Sequence, residues 1–166
     1  MTRRRGASGD AQSSRSRELV IAAGLARSFT IAALVDTNVL VYRFDRRFPA
    51  KQRVATELLR KGIEADSIRL AHQAVIEFFA AVTRATLLDI SDARRETEEL
   101  LSQFVVLYPN DQLLRTAIRG HATYQLSWFD ANMWAYADYY GLDQIFSEDF
   151  ESGRLYGTVR VINPFI

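Results

Sequence analysis

The 166-residue chain reads as an α/β protein, a mostly parallel central sheet with helices on both faces. Three observations predict this class. Short apolar runs alternate with amphipathic helical segments over residues 33–166, the pattern of a sheet built by crossover connections. The runs show little polar alternation, as strands buried on both faces require. Gly, Pro, Asn and Asp punctuate the boundaries, and neither an internal repeat nor a second domain is visible.

Ala33–Leu40 is expected to be a buried strand ending in a turn. Pro49–Gly62 is a helix with proline at its start, Val54, Leu58 and Leu59 on one face, and glycine at its end. Ile68–Ala71 is a short strand, followed by a helix from about Gln73 to Ala85. Ser91–Phe104 has a serine cap, an acidic first turn and apolar Leu100 and Leu101, which also predicts a helix. Phe104–Tyr108 is a strand stopped by Pro109, and Asn110 or Asp111 then caps a helix to about Gln125. Asp130–Tyr140 is a helix terminated by Gly141, and Gln144–Ser147 and Thr158–Ile162 are the last strands.

Residues 1–17, rich in Arg, Ser and Gly, read as a disordered lead-in, so residues 1–32 form an extension and 33–166 the single domain. Basic residues before apolar Leu19–Ala26 have the form of a secretory signal. Against that, Arg27 interrupts the run and the apolar sequence flows straight into the first strand. The expectation is a cytoplasmic protein whose extension is native, a fusion remnant or the product of an upstream start codon. No stretch approaches the ~20 apolar residues that a membrane span needs, so no membrane association is expected.

The absence of cysteine excludes thiolate metal sites, disulfides and cysteine nucleophiles. Two histidines, His72 and His121, are too few for a His-rich zinc site and read as structural or surface residues. Residues 1–33 carry six arginines against two acids, net +4, leaving 15 basic and 18 acidic residues, net −3, in the body. An acidic body attracts divalent cations and repels nucleic acid unless a metal or local arginines intervene.

Four acids sit where apolar segments would present them at one end of a sheet: Asp36, Glu77, Asp130 and Asp149. Burying a carboxylate among apolar residues is costly without a partner, and no Lys or Arg lies beside any of them in its apolar stretch. In an open parallel sheet ligands bind beyond the carboxyl ends of the strands, where Asp36 and Asp149 are predicted to lie. Asp130 at a helix start and Glu77 in the first turns of another can face the same rim. Gathered alone, the four would repel and take up protons; gathered around Mg²⁺ or Mn²⁺, they become the hard oxygen ligands those ions prefer. Such an ion activates water and stabilises phosphoryl charge, which suits phosphodiester hydrolysis.

The bland readings differ residue by residue. Asp36-Thr37-Asn38 could be a turn after a strand, Asp130 a helix cap, Glu77 part of a solvent-facing stripe and Asp149 a loop residue. Trp128, Phe129, Trp134, Tyr136, Tyr139 and Tyr140 at helical spacing read as core or dimer packing before base stacking. Arg43, Arg46 and Arg47 could hold RNA phosphates or form a solvated loop.

Leu34-Val35-Asp36-Thr37-Asn38-Val39-Leu40 resembles the opening motif of PIN-domain ribonucleases, particularly the VapC toxins of bacterial toxin–antitoxin pairs. Ile76-Glu77-Phe78-Phe79, Leu126–Ala131 and Phe146–Phe150 resemble the family's later acidic motifs, in matching order. The resemblance covers about residues 33–166. It implies a PIN-like three-layer sandwich and a metal-dependent endoribonuclease. Asp36, Glu77, Asp130 and Asp149 would bind Mg²⁺ or Mn²⁺, with Asn38 and Ser147 as supporting polar residues. It further implies an RNA substrate, a cognate antitoxin and a homodimer. Two departures stand out: residues 1–32 precede the family's usual start, and Asn132 stands where an aliphatic residue is commoner, so it is expected to modify the rim.

The rivals are a catalytically silent PIN-like RNA binder, a haloacid-dehalogenase-type phosphatase and a phospho-receiver. The phosphatase wants a second Asp where this chain has Asn38, and the receiver wants a late lysine, whereas the last lysine here is Lys61.

Overall fold

The computed structural model describes residues 32–166. The expectation for residues 1–31 lies outside the described part of the chain. In chain order the elements are β1 (Ala33–Val35), α1 (Thr37–Tyr42), α2 (Pro49–Glu64), β2 (Ile68–Ala71), α3 (His72–Arg84) and α4 (Ile90–Gln103). They continue with β3 (Val105–Leu107), α5 (Asp111–Tyr124), α6 (Trp128–Tyr140), β4 (Gln144–Phe146), β5 (Leu155–Tyr156) and β6 (Val159–Ile162).

The strands form one sheet in the order β3-β2-β1-β4-β6-β5, parallel except for the β5–β6 pair. β1 is buried along its whole length, and Leu34, Leu70, Ile145 and Val161 at the centres of their strands are wholly shielded from solvent. β1 accordingly reads as an unbroken apolar run, while β2, β4 and β6 each admit one polar residue, Arg69, Gln144 and Arg160. The chain builds outward from β1 to β2 and β3 on one side and from β4 to β6 on the other. The switch point between β1 and β4 is where such a sheet leaves a crevice for ligands.

Several boundaries differ from those read in the sequence. The first strand stops at Val35, because Asp36 turns the chain and accepts the Thr37 N–H at 2.7 Å, opening α1. Val39 and Leu40 stay buried, now as the inner face of a helix. Asp89, not Ser91, caps α4, accepting the Asp92 N–H at 2.8 Å. Ser127 caps α6 in the same way, which starts the helix two residues before Asp130. Both corrections have one cause: a cap is chosen by which oxygen reaches the third following N–H, and an apolar residue can follow it directly. Of the apolar residues assigned to the buried face of α2, Leu59 is buried and Leu58 partly so, while Val54 is exposed. The antiparallel strand β5 was not visible in the sequence, being only two residues long.

Helix α6 is the buried spine, enclosing Ala131, Met133, Trp134, Ala135, Tyr136 and Ala137. The Trp134 indole donates to the Tyr156 carbonyl at 2.8 Å, satisfying its only polar atom inside the core. Gly120 on α5 lets that ring approach: a Cβ there would lie 2.3 Å from Trp134 Cε3. Trp134 and Tyr136 thus belong to the core as expected, whereas Trp128, Phe129, Tyr139 and Tyr140 are exposed. Gly141 ends the helix in the left-handed region at φ 69°.

Candidate active site

Strand register brings the first two polar residues together. Val35 pairs with Phe146, so Asp36 and Ser147 follow side by side at the ends of adjacent parallel strands. The Ser147 hydroxyl donates to Asp36 Oδ2 at 2.6 Å and accepts the Asp149 N–H at 3.1 Å. From the first turn of α1, Asn38 Nδ2 lies 3.0 Å from Asp36 Oδ2, 3.1 Å from Ser147 Oγ and 3.0 Å from Asp149 Oδ2. Three oxygens therefore converge on an amide that has two hydrogens to give. On the neighbouring helix α3, Glu77 accepts from Thr37 Oγ1 at 3.0 Å and from Gln73 Nε2 at 2.8 Å.

Asp36, Glu77, Asp130 and Asp149 line a single cleft of about 580 Å³. Asp36 is only 6% exposed. Burial pushes its carboxyl up to about 6, opposed by the Ser147 and Thr37 hydrogen bonds and assisted by repulsion from Asp149 and Asp130. Asp130, half-buried, is also raised, chiefly by burial and further by Asp149 and Glu77. Ion pairs such as Arg47–Asp45 and Lys51–Glu148 flank the cleft, yet none among the described residues reaches any of the four acids. The donor set is thus all carboxylate, mutually repelling and without a basic partner, which is the chemistry that suits an oxygen-preferring divalent ion. Among the described residues, however, no three Asp, Glu or His side chains converge as a ready-made ion-binding cluster. Asp36 and Asp149 are instead bridged by the Asn38 amide.

The arginines of the loop after α1 separate. Arg47 lines the cleft, but its guanidinium grips buried Asp45 through two bonds of 2.8 and 2.7 Å. Arg43 sits over the Phe44 ring and 3.7 Å from Glu96, away from the cleft. Arg46 is exposed on an adjoining surface that shares Asp45 and Arg47 with the cleft, without lining the cleft itself. Asn132 donates to the Trp128 carbonyl at 2.7 Å and lines an adjoining apolar groove instead of the acidic cleft. His121 bonds the Leu126 carbonyl and His72 stacks on Tyr108, both structural arrangements.

The sequence reading missed Thr37 and Gln73, which hold Glu77, and Arg84, which lines the cleft from the end of α3. A signal for the last two was present: Gln73, Glu77 and Arg84 fall at helical spacing on one face.

The PIN domain family model matches residues 33–157. The chain belongs to the PIN domain family. Among solved structures, a toxin–antitoxin complex from Klebsiella pneumoniae is similar at TM-score 0.58 and 20% identity, over 80% of this chain and 98% of that one. Mycobacterium tuberculosis VapC20, a sarcin–ricin loop cleaving toxin, is similar at TM-score 0.52 and 15% identity, over 71% and 92% of the two chains. At these identities the likeness is one of fold. A comparison of the sequence with curated proteins finds no match. The PIN-like sandwich expected from the sequence is therefore the observed fold, with its acidic cleft at the switch point. No helix among the described residues is long and apolar enough to cross a membrane.

Proposed function

We propose that this PIN domain is a metal-dependent endoribonuclease and the toxin of a type II toxin–antitoxin pair. The observation that carries the reading is the gathering of Asp36, Glu77, Asp130 and Asp149 in one cleft with no basic partner among the described residues. Asp36, Asp130 and Asp149 would hold Mg²⁺ or Mn²⁺, with Glu77 as a further ligand or as the group that orients the attacking water. A divalent cation bound there lowers the pKa of water and neutralises charge on the phosphoryl oxygens.

The chain's own residues supply position. Asn38 and Ser147 fix the Asp36 and Asp149 carboxylates relative to one another. Thr37 and Gln73 hold both Glu77 oxygens, aiming the carboxylate across the cleft. Repulsion among the acids disfavours their joint ionisation, so cation binding relieves a tension that folding imposes.

The partners that accompany this reading are RNA, a cognate antitoxin and a second copy of the chain. Supporting a protein partner, an apolar groove lined by Ile76, Leu113, Leu114 and Trp128 adjoins the acidic cleft, sharing Gln73, Glu77 and Phe129 with it.

Purified protein incubated with total RNA in Mg²⁺, in Mn²⁺ and in chelator tests the proposal. Cleavage that needs metal and is abolished in Asp36→Ala and Asp130→Ala is the expected result. The competing reading is a silent RNA-binding module. RNA binding without cleavage in either metal would select it.

A further inference from the structure

Two cationic side chains line the acidic cleft, Arg47 and Arg84. Arg47 is neutralised by its two-bond grip on Asp45. Arg84 is exposed, and no carboxylate among the described residues forms an ion pair with it. It sits in the last turn of α3, seven residues after Glu77, so the two lie on one helical face about 10 Å apart along the axis. Between them the cleft wall is made by Ala80 and Ala81, whose small side chains leave the surface low.

We infer that Arg84 is a phosphate anchor: it holds a backbone phosphate neighbouring the one under attack, with the strand lying along the Ala80–Ala81 floor. The inference rests on the nuclease reading of the cleft and extends it to a single-stranded or unpaired RNA segment. Three arguments support it. The cleft carries more acids than bases, so a polyanion needs a fixed counter-charge to enter. An unpaired guanidinium can give two parallel N–H donors to phosphate oxygens without first breaking an internal ion pair. The rise of about 10 Å between the two helix positions suits a phosphate next to the one under attack. Arg84 is thus a positioning residue, outside the reacting atoms.

The test uses a fluorescein-labelled RNA oligonucleotide spanning a cleavage site mapped in total RNA, with the full chain and its Arg84→Ala, Arg84→Lys and Arg95→Ala variants. Arg95, exposed and paired with Asp92 on α4, controls for loss of one positive charge away from the cleft. Arg84→Ala should raise KM about tenfold with kcat changed less than about twofold. The slope of log(kcat/KM) against log salt should become shallower by about 0.7, the release expected from one lost phosphate contact on a single strand. Arg84→Lys should restore the salt slope while recovering only part of the affinity. A KM and salt slope equal to those of Arg95→Ala, in a protein whose wild type cleaves, would overturn the anchor and leave the nuclease standing. A fall in kcat at unchanged KM would overturn it equally, by moving Arg84 to the reacting phosphate. If the wild type neither cleaves nor binds total RNA, nuclease and anchor fall together.

Discussion

Replacing Asp36 with asparagine should stabilise the metal-free protein at neutral pH and reverse sign in acid. The native Asp36 carboxyl is pushed from an ordinary 3.8 up to about 6. The folded state therefore holds this proton more tightly than the unfolded chain does. The resulting stability is fully present below about pH 4 and is lost as pH rises through about 6. At about 1.4 kcal/mol per pH unit, the shift corresponds to roughly 3 kcal/mol of destabilisation when the site is ionised and free of metal. The amide introduced by Asp36→Asn would keep the acceptor for the Thr37 N–H and could donate to Ser147 Oγ, but it would oppose the Asn38 amide, at a cost of about 1 kcal/mol. The net gain is about 2 kcal/mol at pH 8, or roughly 4–8 °C in Tm, turning into a loss of about 0.5 kcal/mol at pH 4, where the unfolded carboxyl is already about half ionised. Urea melts of both proteins in chelator across pH 4–8 measure the difference, in which the other titrating groups largely cancel. A difference curve that stays level across that range would refute the assignment of Asp36 as a desolvated, partnerless carboxylate.

Adding Mg²⁺ or Mn²⁺ at pH 8 should raise the Tm of the wild type and leave that of Asp36→Ala unchanged, because only the native cleft binds the cation; a calorimetric scan at graded metal concentration reports it. Ser147→Ala deletes a hydroxyl that bonds Asp36, Asn38 and Asp149, so metal affinity measured by titration calorimetry should fall about 10–100-fold and stability by about 1–3 kcal/mol. Gly120→Ala places a methyl against the buried Trp134 ring and should cost about 1–3 kcal/mol in urea unfolding, together with a changed near-ultraviolet tryptophan signal.

Most of the order of elements was legible in the sequence, apart from α1 and β5, and the four candidate acids stood out against apolar neighbours. Strand centres read as short apolar runs, although Asp36 and Glu77 are partly satisfied by near neighbours, Thr37 and Asn38 for the first and Gln73 for the second. The Asp36 motif was legible as a polar stop after Ala33–Val35, but the transition from strand to helix was misplaced. Val39 and Leu40 are buried in either conformation, so hydropathy could not separate them. Caps were misassigned at Ser91 and Asp130 for a similar reason: several polar residues cluster near each helix start, and geometry selects one of them.

What the sequence determined by itself is the inventory: the PIN-type order of motifs, the carboxylates at their ends, and the lack of cysteine or clustered histidine. Tertiary structure alone decided which of those groups share a space. The Val35–Phe146 register sets Asp36 beside Ser147, though 111 positions separate them. The α1–α3 packing hands Glu77 to Thr37, and the Arg47–Asp45 pair withdraws one arginine while Arg84 remains open to the cleft. Strand register and helix packing depend on contacts between distant segments, which no local pattern encodes, whereas the Arg47–Asp45 pair, two residues apart, is a local contact chosen among several open to Arg47.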